Sequence, residues 1–362
     1  MVKINKNTNF EISEDFLEVC QLIYPDQIYL QDNPLELSML FSEINPFFDN
    51  GEASIHLLKN KTRAIVFTGP DISHKSNPAA YFGFFESIDS KQDAIKLFEE
   101  IEKQLTEQNI NTLIGPINFN TYHRYRLNLD EENPTPFLNE PQNPKYYPTL
   151  LAASGFSKLN KYVSYIINSQ EKLKNWYDTY SSKKDILTFE GYTFEQITPS
   201  LWMEKLAEVH KKSEIVFGDN FSYSPISFET FQLKYGEFFS HLICPHTSLF
   251  AYYNGEIVGT IINFPNYYDL IRKGFGITDL NFKNYIDNAE EATLLLKTVG
   301  MVKEHANMGF LLLRMMLEIT PNAFEHYEKY VCCLMAEDNY PAMLAKEFSD
   351  HTKEYALYIK EF

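Results

Sequence analysis

One stretch decides the fold of this chain, Val299-Gly-Met-Val-Lys-Glu-His-Ala-Asn-Met-Gly309-Phe310. It joins an apolar run typical of a β-strand, residues 293–299, to an apolar run typical of a helix, residues 310–319. When a strand passes through a short loop into a helix, the unpaired amides of the first helical turn face outward and attract anions. The stretch therefore predicts an α/β element that can bind an anionic ligand.

The elements after this stretch extend the pattern. In order, the sequence predicts a strand at 329–336, the tripeptide Glu337-Asp338-Asn339, a short helix that begins near Pro341 and a last strand at 354–360. This order resembles the C-terminal half of a GCN5-related N-acetyltransferase (GNAT) domain. The resemblance implies that the loop holds the pyrophosphate of acyl-coenzyme A.

The loop departs from the family's pattern, which reads roughly Gln/Arg-x-x-Gly-x-Gly/Ala. Only the last glycine survives, as Gly309, and glycine lets a ligand approach the backbone closely. Asn307 can partly stand in for the lost glycine, because Asn tolerates the left-handed region of backbone space. Lys303 or His305 can replace the lost arginine as the cationic group.

The same order of elements occurs earlier in the chain, at 50–167. Its predicted strands are 54–58, 62–68, 80–87, 112–116 and 161–167, with an amphipathic helix at 93–108 and a short helix at 146–153. The second copy occupies about 190–362, and Asn254-Gly255 is predicted to form a hairpin turn there. A polar, helical connection lies between the copies.

Motifs in both copies narrow the resemblance. The first copy contains Tyr81-Phe-Gly-Phe-Phe-Glu86, Gly115-Pro-Ile-Asn118 and Tyr146-Tyr147, and the second contains Glu337-Asp338-Asn339. These motifs resemble a group of bacterial tandem-GNAT proteins. The resemblance implies an α/β (α+β) fold of two GNAT-like domains, each a mixed, mainly antiparallel sheet flanked by helices. The predicted domains are 51–167 and 190–362, with an N-terminal segment at 1–50 that packs on the first domain and a linker at 168–189.

Composition limits the class of protein. The chain has 362 residues, enough for two domains, and its apolar content of 44% is typical of a globular protein. The net charge of −17 argues against nucleic acid and anionic membranes as partners. The four cysteines show no disulfide or metal-ligand spacing, and no apolar run is long enough to cross a membrane. We therefore expect a cytoplasmic protein without a bound metal.

The two copies differ at the loop that would hold the cofactor. In the first copy that loop is Glu86-Ser-Ile-Asp89-Ser90, which has two carboxylates and no glycine, so we expect no coenzyme A there. Asp89 or Ser90 can also simply cap the following helix. The second copy is therefore the expected site of acetyl-CoA or another acyl-CoA, used as a co-substrate. Its candidate cofactor-binding residues are Gly300, Met301, Lys303, His305, Asn307, Met308, Gly309, Phe310 and Asn339.

The resemblance also implies catalytic roles. A backbone amide near Gly300 would stabilise the oxyanion, and Glu337 or Asp338 would accept the proton of the amine. The family's tyrosine that protonates the leaving thiolate falls near Lys346 in this chain, so that position is unfilled, and Tyr340, which is close in sequence and opens the helix, is the candidate for the role. Alternatively, Asp338 or Asn339 caps the helix near Pro341. His305 can serve as a base or as a phosphate partner.

Two functions are consistent with these residues. The first is an acyl-CoA-dependent N-acyltransferase acting on a small amine or amino-acid-like acceptor, with an acyl-carrier protein as the other conceivable donor. The alternative is a catalytically inactive GNAT-like protein that binds a small molecule or a protein partner.

Other candidate features are an acceptor segment at 217–226, an insertion at 264–292 that either covers a pocket or is an ordinary helical excursion, and the neighbouring Arg124 and Arg126. Cys332 and Cys333 should point to opposite faces of one strand.

Overall fold

The computed structural model describes residues 2–5, 12–27, 30–42, 45–130, 132, 135–182, 191–306 and 309–362. The chain forms two compact units. Unit 1 consists of residues 1–131, 141–161 and 354–362, and unit 2 of residues 132–140 and 162–353. Each unit is a mixed, mainly antiparallel sheet with helices packed on it, which confirms the predicted fold class.

The units differ from the contiguous domains predicted from the repeat. Residues 162–167, at the end of the first copy, belong to unit 2, and residues 354–362, at the end of the chain, belong to unit 1. The short segment 132–140 also belongs to unit 2. Each copy therefore supplies the last strand of the other unit, because strand pairing is decided by edge hydrogen bonds between residues far apart in the sequence.

The strands match the predicted ones closely, and most differ only in their ends. The strands are β1 (Val2–Ile4), β2 (Glu52–Leu58), β3 (Thr62–Thr68), β4 (Ser73–His74), β5 (Asn77–Pro78), β6 (Ala80–Ser87), β7 (Thr112–Gly115), β8 (Leu127–Asn128), β9 (Ser157–Ile167), β10 (Tyr192–Gln196), β11 (Leu249–Tyr253), β12 (Glu256–Pro265), β13 (Thr293–Met301), β14 (Lys329–Ala336) and β15 (His351–Glu361).

Twelve α-helices lie in the part of the chain that the structure describes. None of them is long and apolar enough to cross a membrane. The helices are α1 (Glu14–Ile23), α2 (Pro34–Leu40), α3 (Lys91–Glu107), α4 (Tyr147–Ala153), α5 (Gln170–Ser181), α6 (Pro199–Phe217), α7 (Phe228–Tyr235), α8 (Glu237–Leu242), α9 (Tyr268–Arg272), α10 (Phe282–Asn288), α11 (Phe310–His326) and α12 (Tyr340–Lys346).

In unit 1 the strand order is β1-β2-β3-β6-β7-β15, and only the β6–β7 pair is parallel. Helix α3 covers this sheet with one apolar face, because its buried side chains recur every three or four residues. Described parts of the N-terminal segment contact the sheet of unit 1. Strand β1 pairs with β2, and the fully buried Arg63 donates to the Phe16 carbonyl of α1 at 2.8 Å.

In unit 2 the strand order is β10-β11-β12-β13-β14, and residues 162–167 of β9 pair with β14. Only the β13–β14 pair is parallel. The predicted hairpin turn is confirmed, since Asn254 and Gly255 both have positive φ, at 50° and 86°. Helix α11 packs on this sheet through Leu311, Leu312 and Met315.

A buried ion pair fixes the segment 132–140 to unit 2. The Lys353 ammonium donates to Glu140 Oε1 at 2.9 Å and to the Thr135 carbonyl at 2.7 Å. Both charged side chains are fully buried. A buried charge that loses its partner costs far more free energy than the pair contributes. The pair therefore locks this segment in one position.

We expect Glu140→Gln to lower the free energy of unfolding of unit 2 by about 3–5 kcal/mol, because it leaves the Lys353 ammonium buried without a counter-charge. Urea unfolding followed by tryptophan fluorescence measures this, since Trp176 and Trp202 both lie in unit 2. The control is Glu256→Gln, which breaks an exposed pair with Lys212 and should change stability by no more than about 0.5 kcal/mol. Equal effects of the two variants would contradict the prediction.

Candidate active site

The site in unit 2 begins where two parallel strands part. Strands β13 and β14 pair from Thr293–Lys329 to Leu296–Cys332, and the ladder then ends. Both strands continue beyond this point, β13 to Met301 and β14 to residue 336. Most of the side chains beyond the last pair are partly exposed. The two strand ends therefore form a wedge whose closed end lies at Leu296 and Cys332.

Irregular backbone on both strands produces this divergence. The register of β12 against β13 shifts so that Lys297 has no opposite residue, and the register of β14 against β9 shifts between Cys332 and Met335. Within the second shift Leu334 has a positive φ of 58°, and its amide donates to Ser164 Oγ at 3.0 Å. Such bulges bend a strand away from its neighbour. They turn the end of β14 away from β13 and open the wedge.

The loop after β13 leads from the mouth of the wedge to the start of α11. Gly309 is the N-cap of α11, with a positive φ of 88°, a conformation that favours glycine. It provides no side-chain cap, and the first turn of the helix contains no acidic residue. The amides of that turn are thus available to an anion.

Tyr340 lies directly over this helix start. A Cβ atom on Gly309 would come within 2.5 Å of the Tyr340 hydroxyl oxygen and of its ring. The side chain is nonetheless 47% exposed, so the ring lies on the surface of the loop and is not part of the core. The structure thus places Tyr340, the predicted proton donor, next to Gly309, a predicted cofactor-binding residue.

Lys303 and His305, the loop residues that could replace the lost arginine, both have hydrogen-bond partners. Lys303 forms an exposed ion pair with Asp219 at 2.5 Å, and the pKa of Lys303 is raised chiefly by this hydrogen bond. His305 Nδ1 shares a hydrogen bond with the Tyr192 hydroxyl at 2.6 Å, and its ring packs on Tyr253. An exposed ion pair is weak, so an anionic ligand can compete for Lys303, whereas His305 is held in an aromatic cluster.

The remaining predicted cofactor residues lie along the same loop. Gly300 is buried in β13, where a Cβ atom would lie 3.2 Å from Val216 and 3.3 Å from Phe217 of α6. Met301 ends β13, and Phe310 opens α11 with 45% of its side chain exposed. The candidates Asn307 and Met308 lie outside the described residues. The roles of these residues in binding stay predictions.

The predicted catalytic carboxylates lie at the end of β14. Glu337 and Asp338 are exposed in the turn before α12, and Asn339 is the N-cap of that helix, with its Oδ1 accepting from the Ala342 amide at 2.9 Å. The pKa of Tyr165 is raised by burial and by the nearby Glu337 carboxylate. The cap of α12 is therefore Asn339 and not Asp338, and Glu337 is the carboxylate closer to the buried surface of the sheet.

Unit 1 has the same strand arrangement, but its wedge is closed. Strands β6 and β7 pair only at Ala80 and Tyr81. Beyond them the Ile117 amide donates to the Phe82 carbonyl at 2.7 Å, and Asn118 Oδ1 accepts from the Phe84 amide at 2.8 Å. A Cβ atom on Gly83 or Gly115 would lie 2.3 Å from a backbone oxygen of the facing segment. The motif Gly115-Pro-Ile-Asn118 thus fills the gap that stays open in unit 2.

The helix start in unit 1 is also occupied. Ser90 Oγ accepts from the Asp93 amide as the N-cap of α3, and Asp93 puts a carboxylate in the first turn. Of the two loop carboxylates, only Asp89 is exposed. Glu86 instead turns into the core, where its Oε2 accepts from the Tyr147 hydroxyl at 2.5 Å. The prediction that two loop carboxylates repel an anion here is therefore wrong for Glu86, which is a core residue. Only Asp89 of the two places its carboxylate on the surface of the loop.

Burial raises the pKa of the Glu86 carboxyl to about 7, against the opposing effects of Arg63 and of the hydrogen bond from Tyr147. The folded carboxyl thus keeps its proton in a pH range where the unfolded one has released it. Arg63 is itself fully buried and bound to Asp32 and to the Phe16 carbonyl. This polar cluster joins α1 and α4 to the sheet of unit 1.

Three further predicted features are resolved by the structure. Arg124 is exposed while Arg126 is buried with its guanidinium over the Tyr125 ring, so the two do not share one environment. Cys332 and Cys333 pack in different apolar clusters, on opposite faces of β14 as expected. The insertion at 264–292 contributes Tyr267, Leu270, Leu280 and Tyr285 to the core, which is the behaviour of an ordinary helical excursion.

Comparisons with known proteins give only distant matches. No family model and no curated protein matches the sequence. Among solved structures, the GCN5-related N-acetyltransferase from Sphaerobacter thermophilus matches with 12% identity and a TM-score of 0.46, over 99% of this chain and 95% of that chain. The tandem GNAT protein from the clavulanic acid biosynthesis pathway matches with 12% identity and a TM-score of 0.46, over 99% and 97% of the two chains.

A third match is a conserved protein from Enterococcus faecalis V583, described as a probable N-acyltransferase, with 10% identity, a TM-score of 0.48 and coverage of 99% of this chain and 72% of that chain. The chain is similar to GNAT proteins along nearly its whole length. At these identities and TM-scores the likeness shows nothing about the chemistry of the site. Within the described residues, no group of three or more His, Cys, Asp or Glu side chains is placed to hold a metal ion.

We expect Gly309→Ala to destabilise unit 2 more than Gly255→Ala does. Both glycines have positive φ, near 88° and 86°, but a Cβ atom on Gly255 meets nothing within 4 Å. Gly255→Ala therefore carries only the backbone cost, about 1–2 kcal/mol, and Gly309→Ala adds about 0.5–1.5 kcal/mol, because the exposed Tyr340 ring has to shift away from the new Cβ atom. Urea unfolding of both variants measures the difference. Tyr340→Ala in the Gly309→Ala background should remove the added cost, and persistence of that cost would contradict the contact.

The raised pKa of Glu86 predicts that unit 1 loses stability as pH rises. Between pH 4.5 and about 7 the folded carboxyl holds its proton and the unfolded one does not, so rising pH favours unfolding, by up to about 3 kcal/mol. Glu86→Gln should remove this loss. Hydrogen exchange of the β6 amides, compared between variant and wild type at each pH, measures it. The surface variant Glu100→Gln on α3 should follow the wild type, and a Glu86→Gln profile parallel to wild type would refute the prediction.

Proposed function

We propose that this protein is an N-acyltransferase that binds acyl-CoA in unit 2 and transfers the acyl group to a small amine or amino-acid-like acceptor. The observation that carries the proposal is the open wedge between β13 and β14, which leads directly to the uncapped start of α11. A strand edge without a ladder partner can pair with the amide groups of an extended ligand, and the helix start can bind the phosphates at its other end. Both features lie along one stretch of the chain, in residues 297–306 and at Gly309 and Phe310.

The residues at the two ends of this stretch suit the two ends of acyl-CoA. At the mouth, Gly309 leaves the first-turn amides of α11 uncovered by a cap, and Lys303 can exchange Asp219 for a phosphate. Tyr340 stands at this mouth and not at the closed end of the wedge. We therefore assign its hydroxyl to the phosphates, as a hydrogen-bond donor, in preference to its predicted role as proton donor to the thiolate.

The reaction is direct aminolysis of a thioester. The amine nitrogen forms a bond to the carbonyl carbon, the carbon–sulfur bond breaks, and the leaving thiolate takes a proton from water to become the free thiol, which balances the proton that the amine loses to a base. Backbone amides of β13 near Gly300 can stabilise the oxyanion that forms on the way. Glu337, at the end of β14, is the candidate base that accepts the amine proton, directly or through a water molecule.

Unit 1 has the same topology without the means to bind this ligand. Its wedge is bridged by Ile117 and Asn118, and the start of α3 is capped by Ser90 and flanked by the Asp93 carboxylate. We assign the cofactor site to unit 2 on this contrast. The proposal includes a cytoplasmic location, supported by the four free cysteines, and leaves an acyl-carrier protein as the alternative donor.

Two observations favour the second candidate function, a non-catalytic GNAT-like binding protein. The Tyr340 ring lies against Gly309, so it takes up space beside the helix start where a phosphate would bind. In addition, Glu337 and Asp338 are both exposed at the turn before α12, where packing does not hold a carboxylate in one position for catalysis. A protein that binds coenzyme A but shows no acyl transfer to any amine would satisfy this second function.

Matched variants at the two helix starts test where the cofactor binds. We expect Phe310→Asp, at the first residue of α11, to weaken coenzyme A binding at least about tenfold, because it places a negative charge beside the pyrophosphate. The same substitution should not harm the helix, since acidic residues stabilise the first turn. Lys91→Asp, at the first residue of α3, is the control and should leave binding unchanged.

Isothermal titration calorimetry with acetyl-CoA and with free coenzyme A gives the affinities. Circular dichroism checks that both variants fold. Loss of binding in Lys91→Asp alone would move the site to unit 1, and unchanged binding in both would remove α11 from the site. A wild-type protein that binds neither ligand at millimolar concentration would refute an acyl-CoA-dependent function.

A further inference from the structure

Phe137 is a residue from the first half of the sequence that lies in the core of unit 2. It belongs to the segment 132–140, and its side chain is fully buried. The residues that surround it are Leu295 of β13, Val331 and Cys333 of β14 and Ile166 of β9. The proposed acyl transfer assigns no role to Phe137.

The position of Phe137 relative to the wedge follows from these neighbours. Leu295 pairs with Val331, one step before the last pair of the ladder at Leu296 and Cys332. Cys333 is the first residue of β14 beyond that pair, and its Sγ donates to the Leu296 carbonyl at 3.6 Å. The Phe137 ring therefore packs against both strands at the level where they part, which is the closed end of the wedge.

The ring is held there by polar contacts along its own segment. The Phe137 amide donates to Glu140 Oε2 at 3.3 Å, and Glu140 Oε1 is bound by the buried Lys353 ammonium at 2.9 Å. The Pro136 carbonyl accepts from Asn266 Nδ2 at 3.0 Å. The Lys353 and Lys297 ammonium groups lie 5.2 and 5.5 Å from the ring centroid, within the range of cation–π attraction. A ring fixed by so many contacts does not move aside at low cost.

We propose that Phe137 sets the length of the acyl group that this enzyme accepts, and that it restricts the donor to short acyl chains of about two to four carbons. This inference rests on the proposed function. An acyl-CoA that enters along the wedge places its thioester beside residues 297–301, so the acyl group extends from the thioester toward the closed end. There it meets the Phe137 ring, which packs with Leu295 and Cys333 in one apolar cluster. A longer chain needs the volume that the ring occupies.

The test measures affinity for donors of increasing length in the full chain. Calorimetry with acetyl-, butanoyl-, hexanoyl- and octanoyl-CoA should show wild-type affinity falling at least about tenfold between the butanoyl and hexanoyl donors, the cost of methylenes that do not fit. Phe137→Val should raise the hexanoyl-to-acetyl affinity ratio by about tenfold or more, and Phe137→Leu by less. The ratio is the readout because a merely structural role would weaken all donors alike.

The control is Phe231→Val, a buried phenylalanine of α7 in a different apolar cluster of unit 2. It should lower stability without changing the affinity ratio. Tryptophan fluorescence and circular dichroism check the folding of each variant. If Phe137→Val fails to fold, the wild-type length profile and Phe137→Leu still decide the matter.

Each outcome separates the inference from the function on which it rests. Wild-type protein that binds octanoyl-CoA as well as acetyl-CoA overturns the role of Phe137 and leaves the proposed function intact. The same holds if Phe137→Leu and Phe231→Val leave the ratio equally unchanged. Wild-type protein that binds no acyl-CoA refutes the proposed function, and the role of Phe137 is refuted with it.

Discussion

The backbone ladder between β13 and β14 controls what unit 2 can do. A parallel pair normally continues as long as both strands do, because each amide and carbonyl needs a hydrogen-bond partner. Here it ends after four residue pairs, although both strands go on to Met301 and residue 336. Beyond the last pair the two strands form no further ladder pairs with each other, and between these strand ends we propose that an extended ligand with amide groups binds. The wedge, the loop and the start of α11 all depend on this early end.

The same constraint explains why the two units differ despite their shared topology. In unit 1 the ladder between β6 and β7 ends even sooner, yet its open groups are satisfied from within by the Ile117 amide and by Asn118 Oδ1. Gly83 and Gly115 make this possible, because a side chain at either position would collide with the facing backbone. The backbone groups beyond the β6–β7 ladder are thus bonded by other residues of unit 1. The corresponding strand ends of unit 2 are where we propose that the cofactor binds.

Residues brought from distant parts of the sequence complete unit 2. The segment 132–140 reaches it from the first copy, and the buried pair of Lys353 and Glu140 fixes that segment where β13 and β14 part. A buried ion pair contributes little net stability, but it excludes other positions for the groups that it joins. In unit 2 the ion pair holds Phe137 in place, because Glu140 also accepts from the Phe137 amide. The shape of the closed end of the wedge is therefore determined jointly by both copies of the repeat.

The sequence by itself determined the elements and their order. The strand, loop and helix around Gly309, the turn at Asn254-Gly255 and the cap at Asn339 all follow from local rules, since periodicity, turn chemistry and capping involve residues only a few positions apart. The tertiary structure alone decided which strand ends each sheet, that Glu86 is buried, that Tyr340 covers Gly309 and that Phe137 closes the wedge. These depend on contacts between residues far apart in the chain, and a local sequence pattern does not specify such contacts.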